Sequence, residues 1–167
     1  MCTDAFSGHA YTVLDNKTGG EYMGIFLDAR TSQNASTYGQ ISTPILVGQN
    51  SLFGVVGLDV TKATVGQIRV QFEGTMAVQL PLLPIATNVD ITIIRGTQQS
   101  GLITVYTARQ VLDLSIVGPQ LITFAGADFN PGIPASGPLV YSAYVSATAL
   151  GTVRVGPESF TALATAG

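Results

Sequence analysis

The stretch that decides the fold runs from residue 68 to residue 80 and reads IRVQFEGTMAVQL. Apolar or small residues occupy every second position, and most of the positions between them are polar. The first set is Ile68, Val70, Phe72, Gly74, Met76, Val78 and Leu80, and the second is Arg69, Gln71, Glu73, Thr75 and Gln79. A period of two places one face of an extended strand on a core and the other toward solvent. The stretch therefore predicts a β-strand, with a bulge or bend at Gly74.

Further short runs rich in β-branched and aromatic residues follow at intervals of about ten residues, separated by Gly, Pro, Asn or Ser. These predicted strands are 22–29, 44–47, 52–60, 88–95, 102–112, 120–125, 139–147, 152–155 and 158–165. No segment sustains helical spacing, so we expect an all-β sandwich of two antiparallel sheets. A long loop is predicted over 31–42, and Gly156-Pro157 should break or bulge the final strand because proline cannot donate to a ladder.

The composition describes one domain with an unusually small number of charges. Of 167 residues, 10% are charged and 46% are hydrophobic, and the net charge is −3. The surface of such a chain either exposes unusually few charged groups to solvent or is largely covered by other copies of the chain. The basic residues are scattered, and no apolar run reaches membrane-spanning length, so neither nucleic acid nor a membrane is an expected partner.

The chain divides into an N-terminal arm and a single domain. Residues 1–18 are polar and weakly patterned, and they predict a flexible arm, while residues 19–167 contain nearly all of the strand pattern. The first twenty residues lack a basic start followed by an apolar core, so we expect no secretory signal peptide.

The sequence offers little for catalysis or metal binding. Its single cysteine, Cys2, and its single histidine, His9, both lie in the arm, where nothing holds them as a nucleophile and base. Zinc requires three or four such ligands, and no calcium-loop motif occurs. The acids Asp59, Glu73 and Asp90 lie on or beside predicted strands, where solvent-facing strand charges explain them. We therefore predict a protein that is not an enzyme and has no cofactor.

The stretches QIRVQFEGTMAVQL, NVDITIIRGT, LVYSAYVSA and ESFTALATA together resemble the bacterial branch of the tumour-necrosis-factor-like jelly rolls. Within that branch, the chain is similar to the small spore-surface proteins of spore-forming bacilli, those of the exosporium and of endospore appendages. The resemblance covers residues 22–165 as a pattern of strands. It implies a jelly-roll fold, tight homotrimers, and a place on the spore exterior reached without a secretory signal.

The predicted function is therefore that of a structural, self-assembling subunit of a spore-coat layer or filament. Its expected partners are further copies of itself and other spore-surface proteins. Strand 139–147 is apolar on both faces, so it is either central in the sandwich or covered by another subunit. Candidate trimer contacts are Phe72, Tyr141 and Tyr144, and candidate arm anchors that link neighbouring subunits are Tyr11, Val13 and Leu14.

Two alternatives and one covalent role remain open. A carbohydrate- or receptor-binding sandwich would use loop residues with amide and aromatic side chains, namely Asn34, Tyr38, Gln40, Gln98 and Gln99. A viral capsid or decoration protein would share the fold and the self-assembly. Cys2 has no partner within its own chain, so the covalent role left to it is an intermolecular disulfide.

Overall fold

The computed structural model describes residues 24–63, 67–82, 85–97 and 101–167, and its strands confirm the all-β prediction. The strands are β1 (Ile25–Ala35), β2 (Thr43–Pro44), β3 (Ser51–Leu58), β4 (Ile68–Gln79), β5 (Asn88–Arg95), β6 (Ile103–Val111), β7 (Pro119–Phe129), β8 (Leu139–Ala147) and β9 (Val153–Ala166). None of the described residues forms a helix able to cross a membrane.

The strands form two antiparallel sheets that pack as a sandwich. Sheet I has the order β1-β9-β4-β7, with the short β2 joined to β9, and sheet II has the order β3-β8-β5-β6. The pairs are nested in the sequence: β5 pairs with β6, β4 with β7, β3 with β8, and β1 with β9. The chain passes from one sheet to the other at nearly every connection.

This strand order determines at which end of the sandwich each connection lies. The β1–β2–β3, β4–β5, β6–β7 and β8–β9 connections meet at one end, called here the four-loop end. Backbone hydrogen bonds tie them together there, from Leu112 N to Thr87 O and from Ile45 N to Thr152 O. The opposite end, called the terminal end, holds Gly24 and Gly167, because Ile25 and Ala166 are paired at the start of β1.

Six aromatic rings fill the centre of the sandwich. Phe72 of β4 lies in their midst, with ring centroids 5.5 Å from Tyr106, 6.4 Å from Tyr141 and 6.5 Å from Phe160. Phe124 stacks on Phe160, and Phe53 meets the edge of Phe124. Edge-to-face and offset contacts of this kind add to the stabilisation from burial.

The opening stretch forms the predicted strand, but Gly74 is not a bulge. Gly74 pairs in regular register with Phe124 on one side and with Phe160 on the other. A Cβ at this position would lie 2.6 Å from Cε1 of Phe124. The glycine is therefore needed because the Phe124 ring lies directly against the backbone of β4.

Three other predictions need adjustment. The predicted strand 44–47 is reduced to the two-residue β2, with an isolated bridge at Val47. The predicted loop 31–42 begins later, because β1 continues to Ala35 by pairing along β9. Its polar Thr, Ser and Gln residues lie on an edge strand, where one face needs no apolar residue. The two predicted final strands are one, β9, and the expected bulge is confirmed: its register with β4 shifts between Met76 and Val78, opposite Gly156-Pro157.

Gly126 of β7 is a close-contact glycine whose replacement should be costly. A Cβ there would lie 2.5 Å from Cε2 of Phe72 and 2.8 Å from Cδ2 of Tyr106. We expect Gly126→Ala to lower the free energy of unfolding by about 1–3 kcal/mol, since both rings must shift. Urea denaturation measures the change. Gly132→Ala is the matched control, because open space surrounds that position. Equal effects of the two substitutions would contradict the packing described.

Candidate functional surfaces

The three residues predicted as trimer contacts occupy two different environments. Phe72 and Tyr141 are buried in the core of their own protomer, so their side chains offer no surface to a neighbour. β8 lies in the middle of sheet II, between β3 and β5, which accounts for the apolar residues on its inner face. Tyr144 lies on the opposite face of β8 and is half-buried. Of the three, Tyr144 alone retains surface for a subunit contact.

The outer face of sheet II carries an apolar patch around Tyr144. Leu52 lies directly opposite it on the neighbouring strand β3, and Val55 lies opposite Ser142. Both aliphatic side chains are about half exposed. Leu52, Val55 and Tyr144 therefore form a lateral apolar patch on the side of the sandwich.

The arm residues lie outside the described part of the chain. This holds for Cys2, His9, Tyr11, Val13 and Leu14. The intermolecular disulfide of Cys2 and the anchoring role of the three apolar residues stay predictions.

The loop residues considered for carbohydrate binding do not converge on a site. Asn34 is exposed, but its Nδ2 is engaged within the sandwich: it donates to the Glu158 carboxylate and to the Phe53 carbonyl, both at 2.6 Å. Gln40 accepts hydrogen bonds from the backbone of Ser36 and Thr37, and Tyr38 is exposed. Gln98 and Gln99 lie outside the described residues.

The three acids singled out from the sequence are dispersed over the sandwich. Asp59, in the β3–β4 connection, accepts hydrogen bonds from the hydroxyl and amide of Thr61, which lower its pKa. Asp90 of β5 forms a two-pronged ion pair with Arg109 at 2.6 and 2.8 Å, and this hydrogen bonding lowers its pKa. Glu73 lies in the middle of β4 on the other sheet and is exposed. Across the described ranges, no three metal-ligating side chains come together.

A buried ion pair joins three strands near the bulge of β9. Nη1 of Arg154 lies 3.0 and 3.2 Å from the two carboxylate oxygens of Glu158, and Asn34 of β1 donates to the same carboxylate. The residues Arg154 and Glu158 are 7% and 1% exposed. Nη1 also approaches the Leu52 carbonyl of β3, and Nε of Arg154 is buried without a partner among the described residues. This arrangement links the bulge to both sheets and carries no exposed reactive group.

A second polar cluster ties the sheets together at the terminal end. Asp128 of β7 accepts hydrogen bonds from Nη1 of Arg95 at 2.6 Å and from the hydroxyl of Tyr141 at 2.8 Å. Burial, followed by the hydrogen bond to Asp128, raises the pKa of Tyr141. The phenol thus stays protonated and donates, so the cluster is a structural tie between β5, β7 and β8.

The four-loop end exposes several large apolar side chains and few charges. A groove of about 610 Å³ lies there between the β4–β5 and β8–β9 connections. The apolar residues that line it are Val47, Pro81, Leu82, Ile85, Ala149 and Leu150. Other exposed aliphatic side chains of this end are Leu46, Leu114, Ile116 and Val117. In the described parts of these four connections, Asp113 is the one charged residue, and Ser115 satisfies its carboxylate.

Among the described residues, the sandwich also has strand edges without a paired neighbour. β7 pairs with β4 on one side, and β6 pairs with β5 on one side, so each presents its other edge. Such edges accept an additional strand through backbone hydrogen bonds. The sequence predicted the strands themselves, but which of them lie at an edge follows only from the pairing.

Comparison with known proteins adds no relative to these observations. A scan against protein-family models finds no match for this chain, and a search of curated proteins finds none either. The surfaces described above therefore carry the functional argument.

Proposed function

We propose that this chain is a structural subunit that assembles with copies of itself, as a homotrimer and in a layer or filament of a bacterial spore surface. The N-terminal arm links neighbouring subunits in this proposal. The spore location rests on the resemblance of the strand sequences, and the self-assembly rests on the surfaces of the sandwich.

The strand order supports the proposal that the sandwich is a jelly roll. In a jelly roll, eight strands in two Greek keys form two four-stranded sheets. Leaving out the short β2, sheet I has four strands in the order β1-β9-β4-β7, and sheet II has four in the order β3-β8-β5-β6. The pairing of first with last strand, and so on inward, is the order expected for a long hairpin wound into a sandwich. Jelly rolls of this type recur in proteins that assemble into shells.

The observation that carries the self-assembly is the apolar four-loop end. Leu82 and Leu150 are 99% and 77% exposed there. Monomeric soluble proteins rarely expose large contiguous apolar patches, and such patches commonly mark contact sites. Because the described loops of this end carry only Asp113 as a charge, little electrostatic repulsion opposes the approach of another apolar surface.

An apolar surface at the side of the sandwich supports the proposal of a trimer. The lateral apolar patch of Leu52, Val55 and Tyr144 combines an aromatic residue with two aliphatic ones, as the centre of a protein interface does. On the neighbouring strands β5 and β6, Thr92 and Thr107 are paired with each other, and the charged residues Asp90 and Arg109 form an ion pair. We assign the lateral contacts of the trimer to this face.

Deleting the arm tests the linking role. We expect a chain without residues 1–18 to lose the assemblies larger than a trimer, because the connection between neighbours is removed while the sandwich is intact. Sedimentation velocity and negative-stain imaging of the full and shortened chains measure this. A matched control replaces only Cys2 with Ser and retains the arm. Unchanged large assemblies in the shortened chain would contradict the role of the arm.

A further inference from the structure

We propose that the outer face of sheet I, which points away from sheet II, binds the same face of a second copy of the chain across a twofold axis at Gln71. This inference rests on the proposed self-assembly and adds a contact to it, because the lateral apolar patch lies on sheet II. In a twofold contact, residue i of one copy meets residue j of the other, and residue j meets residue i.

Two charges of opposite sign lie on this face without an ion pair. Arg69 and Glu73 are exposed, and they alternate along β4 with its buried residues. Among the described residues, every other arginine forms an ion pair with a carboxylate, whereas Arg69 and Glu73 form none. Four residues of extended chain place the two about 13 Å apart, too far to pair within one copy. Each charge is therefore available to a partner.

The row of side chains that contains Arg69 carries the large residues of this face. Arg69 is paired with Phe129 on β7 and with Thr165 on β9, and Thr165 is paired in turn with Phe26 on β1. The guanidinium of Arg69 lies 5.7 Å from the centre of the Phe129 ring. Phe26 and Phe129 are 60% and 62% exposed. The row therefore presents two aromatic rings and a positive charge.

The row that contains Glu73 is complementary in size and in charge. Glu73 is paired with Ala125 on β7 and with Thr161 on β9, and Thr161 is paired with Thr31 on β1. Two hollows of about 410 and 380 Å³ lie along this row, and Glu73, Ala125 and Thr161 line both of them. The small side chains leave room above the sheet beside a negative charge.

A twofold axis that crosses the strands at Gln71 places one row on the other. Sheets that pack face to face lie about 10 Å apart with their strands roughly aligned. This axis reverses the strand direction and keeps each strand opposite its own copy. Arg69 of each copy then faces Glu73 of the other, and the Phe129 ring enters the space above Ala125. An axis along the strands would instead oppose like charges, which repel.

The contact is compatible with the trimer proposed above. The lateral apolar patch lies on sheet II, and this face lies on sheet I, so one copy can use both at the same time. A twofold contact on sheet I then joins one trimer to another, either in a closed pair of trimers or in a layer.

Charge reversal tests the reciprocal pairing. Arg69→Glu opposes two carboxylates at each meeting point, and Glu73→Arg opposes two guanidiniums there. We expect each single variant to raise the concentration needed for association at least about tenfold, since like charges replace an ion pair. An equimolar mixture of the two variants has opposite charges at both points. Sedimentation velocity should therefore show that the mixture associates as the unmodified chain does.

The control and the contrary result are specific to this face. Lys62→Glu makes the same change of charge as Arg69→Glu at an exposed position in the β3–β4 connection, and it should leave association unchanged. All three altered side chains are exposed, so the thermal unfolding midpoints should also stay unchanged. A mixture that associates no better than either single variant would overturn the proposal, and this is the result expected if the chain's own arm covers the face.

Cross-linking tests the position of the axis. In a Cys2→Ser background, Gln71→Cys places two thiols opposite each other, within reach of a short bismaleimide cross-linker. We expect at least about tenfold more covalent dimer than for Thr107→Cys, an exposed position on sheet II, because the contact raises the effective concentration of the thiols. Equal yields at the two positions would overturn the assignment of the axis.

The outcomes separate this inference from the proposed function. If the unmodified chain assembles and both charge variants assemble equally well, the outer face of sheet I is not a contact and the self-assembly stands. If the unmodified full chain forms no assemblies, both proposals fail.

Discussion

Replacing Arg154 with Met should lower the free energy of unfolding by about 3–5 kcal/mol, although the substitution preserves most of the side-chain length. Glu158 is 1% exposed and shares its carboxylate between Arg154 and Asn34. Removing the guanidinium leaves this carboxylate buried without its opposite charge. The lost free energy of unfolding comes mainly from the cost of a buried, unpaired carboxylate. The net stabilisation that the ion pair provides is smaller.

Two comparisons sharpen this prediction. Arg109→Met breaks the exposed ion pair with Asp90, and we expect it to cost about 1 kcal/mol or less, because solvent screens that pair. The double variant Arg154→Met with Glu158→Leu removes both charges and should recover much of the lost stability. Guanidinium denaturation at one fixed protein concentration measures all three. If Arg154→Met lowered the free energy of unfolding as little as Arg109→Met, groups other than Arg154 would have to stabilise the buried Glu158 carboxylate. That result would contradict the role given to the ion pair.

Phe72→Ala should also cost about 3–5 kcal/mol of unfolding free energy, the usual range for removing a buried phenylalanine ring. Phe72 contacts the rings of Tyr106, Tyr141 and Phe160 at the centre of the sandwich. Its removal leaves a cavity bounded by rings from both sheets, which collapse only partly. Phe129→Ala is the control, because Phe129 is exposed and contacts Arg69 through a cation–π interaction at 5.7 Å. We expect that control to cost about 1 kcal/mol or less.

This experiment also distinguishes the two roles considered for Phe72. The core position predicts a lower unfolding midpoint at every protein concentration. A subunit-contact role, as expected from the sequence, predicts that the oligomer dissociates while the dilute protomer keeps its stability. The second result would contradict the packing of Phe72 in its own sandwich.

The strands were largely predictable because their periodicity is local. IRVQFEGTMAVQL alternates over its whole length, and β5 and β8 begin and end at the predicted residues. The end of β1 was not predictable, because Thr31, Ser32 and Gln33 have no apolar alternation and are held by pairing with β9. Gly74 was predicted to be a bulge or bend, because the sequence alone does not show that the ring of Phe124 packs against its backbone.

The candidate surfaces were less predictable, for a physical reason. Periodicity shows that Phe72, Tyr141 and Tyr144 lie on strand faces. The sequence pattern of an apolar face is the same whether the second sheet or another subunit covers it. The low charge of the chain predicted subunit contact surfaces, and this stays a prediction. Which loops share an end is set by strand order, so the apolar groove required the assembled sandwich. The Arg154–Glu158 pair likewise depends on the bulge at Gly156-Pro157, which brings the two residues together.

The central claim is that this chain assembles with itself, and the mass of the purified full chain in solution tests it most directly. Sedimentation velocity over a rising concentration series, with negative-stain imaging of the same samples, should show trimers and larger assemblies. Repeating the series in reductant reports whether a disulfide through Cys2 strengthens them. A chain that remains monomeric at every concentration, with and without reductant, would contradict the account.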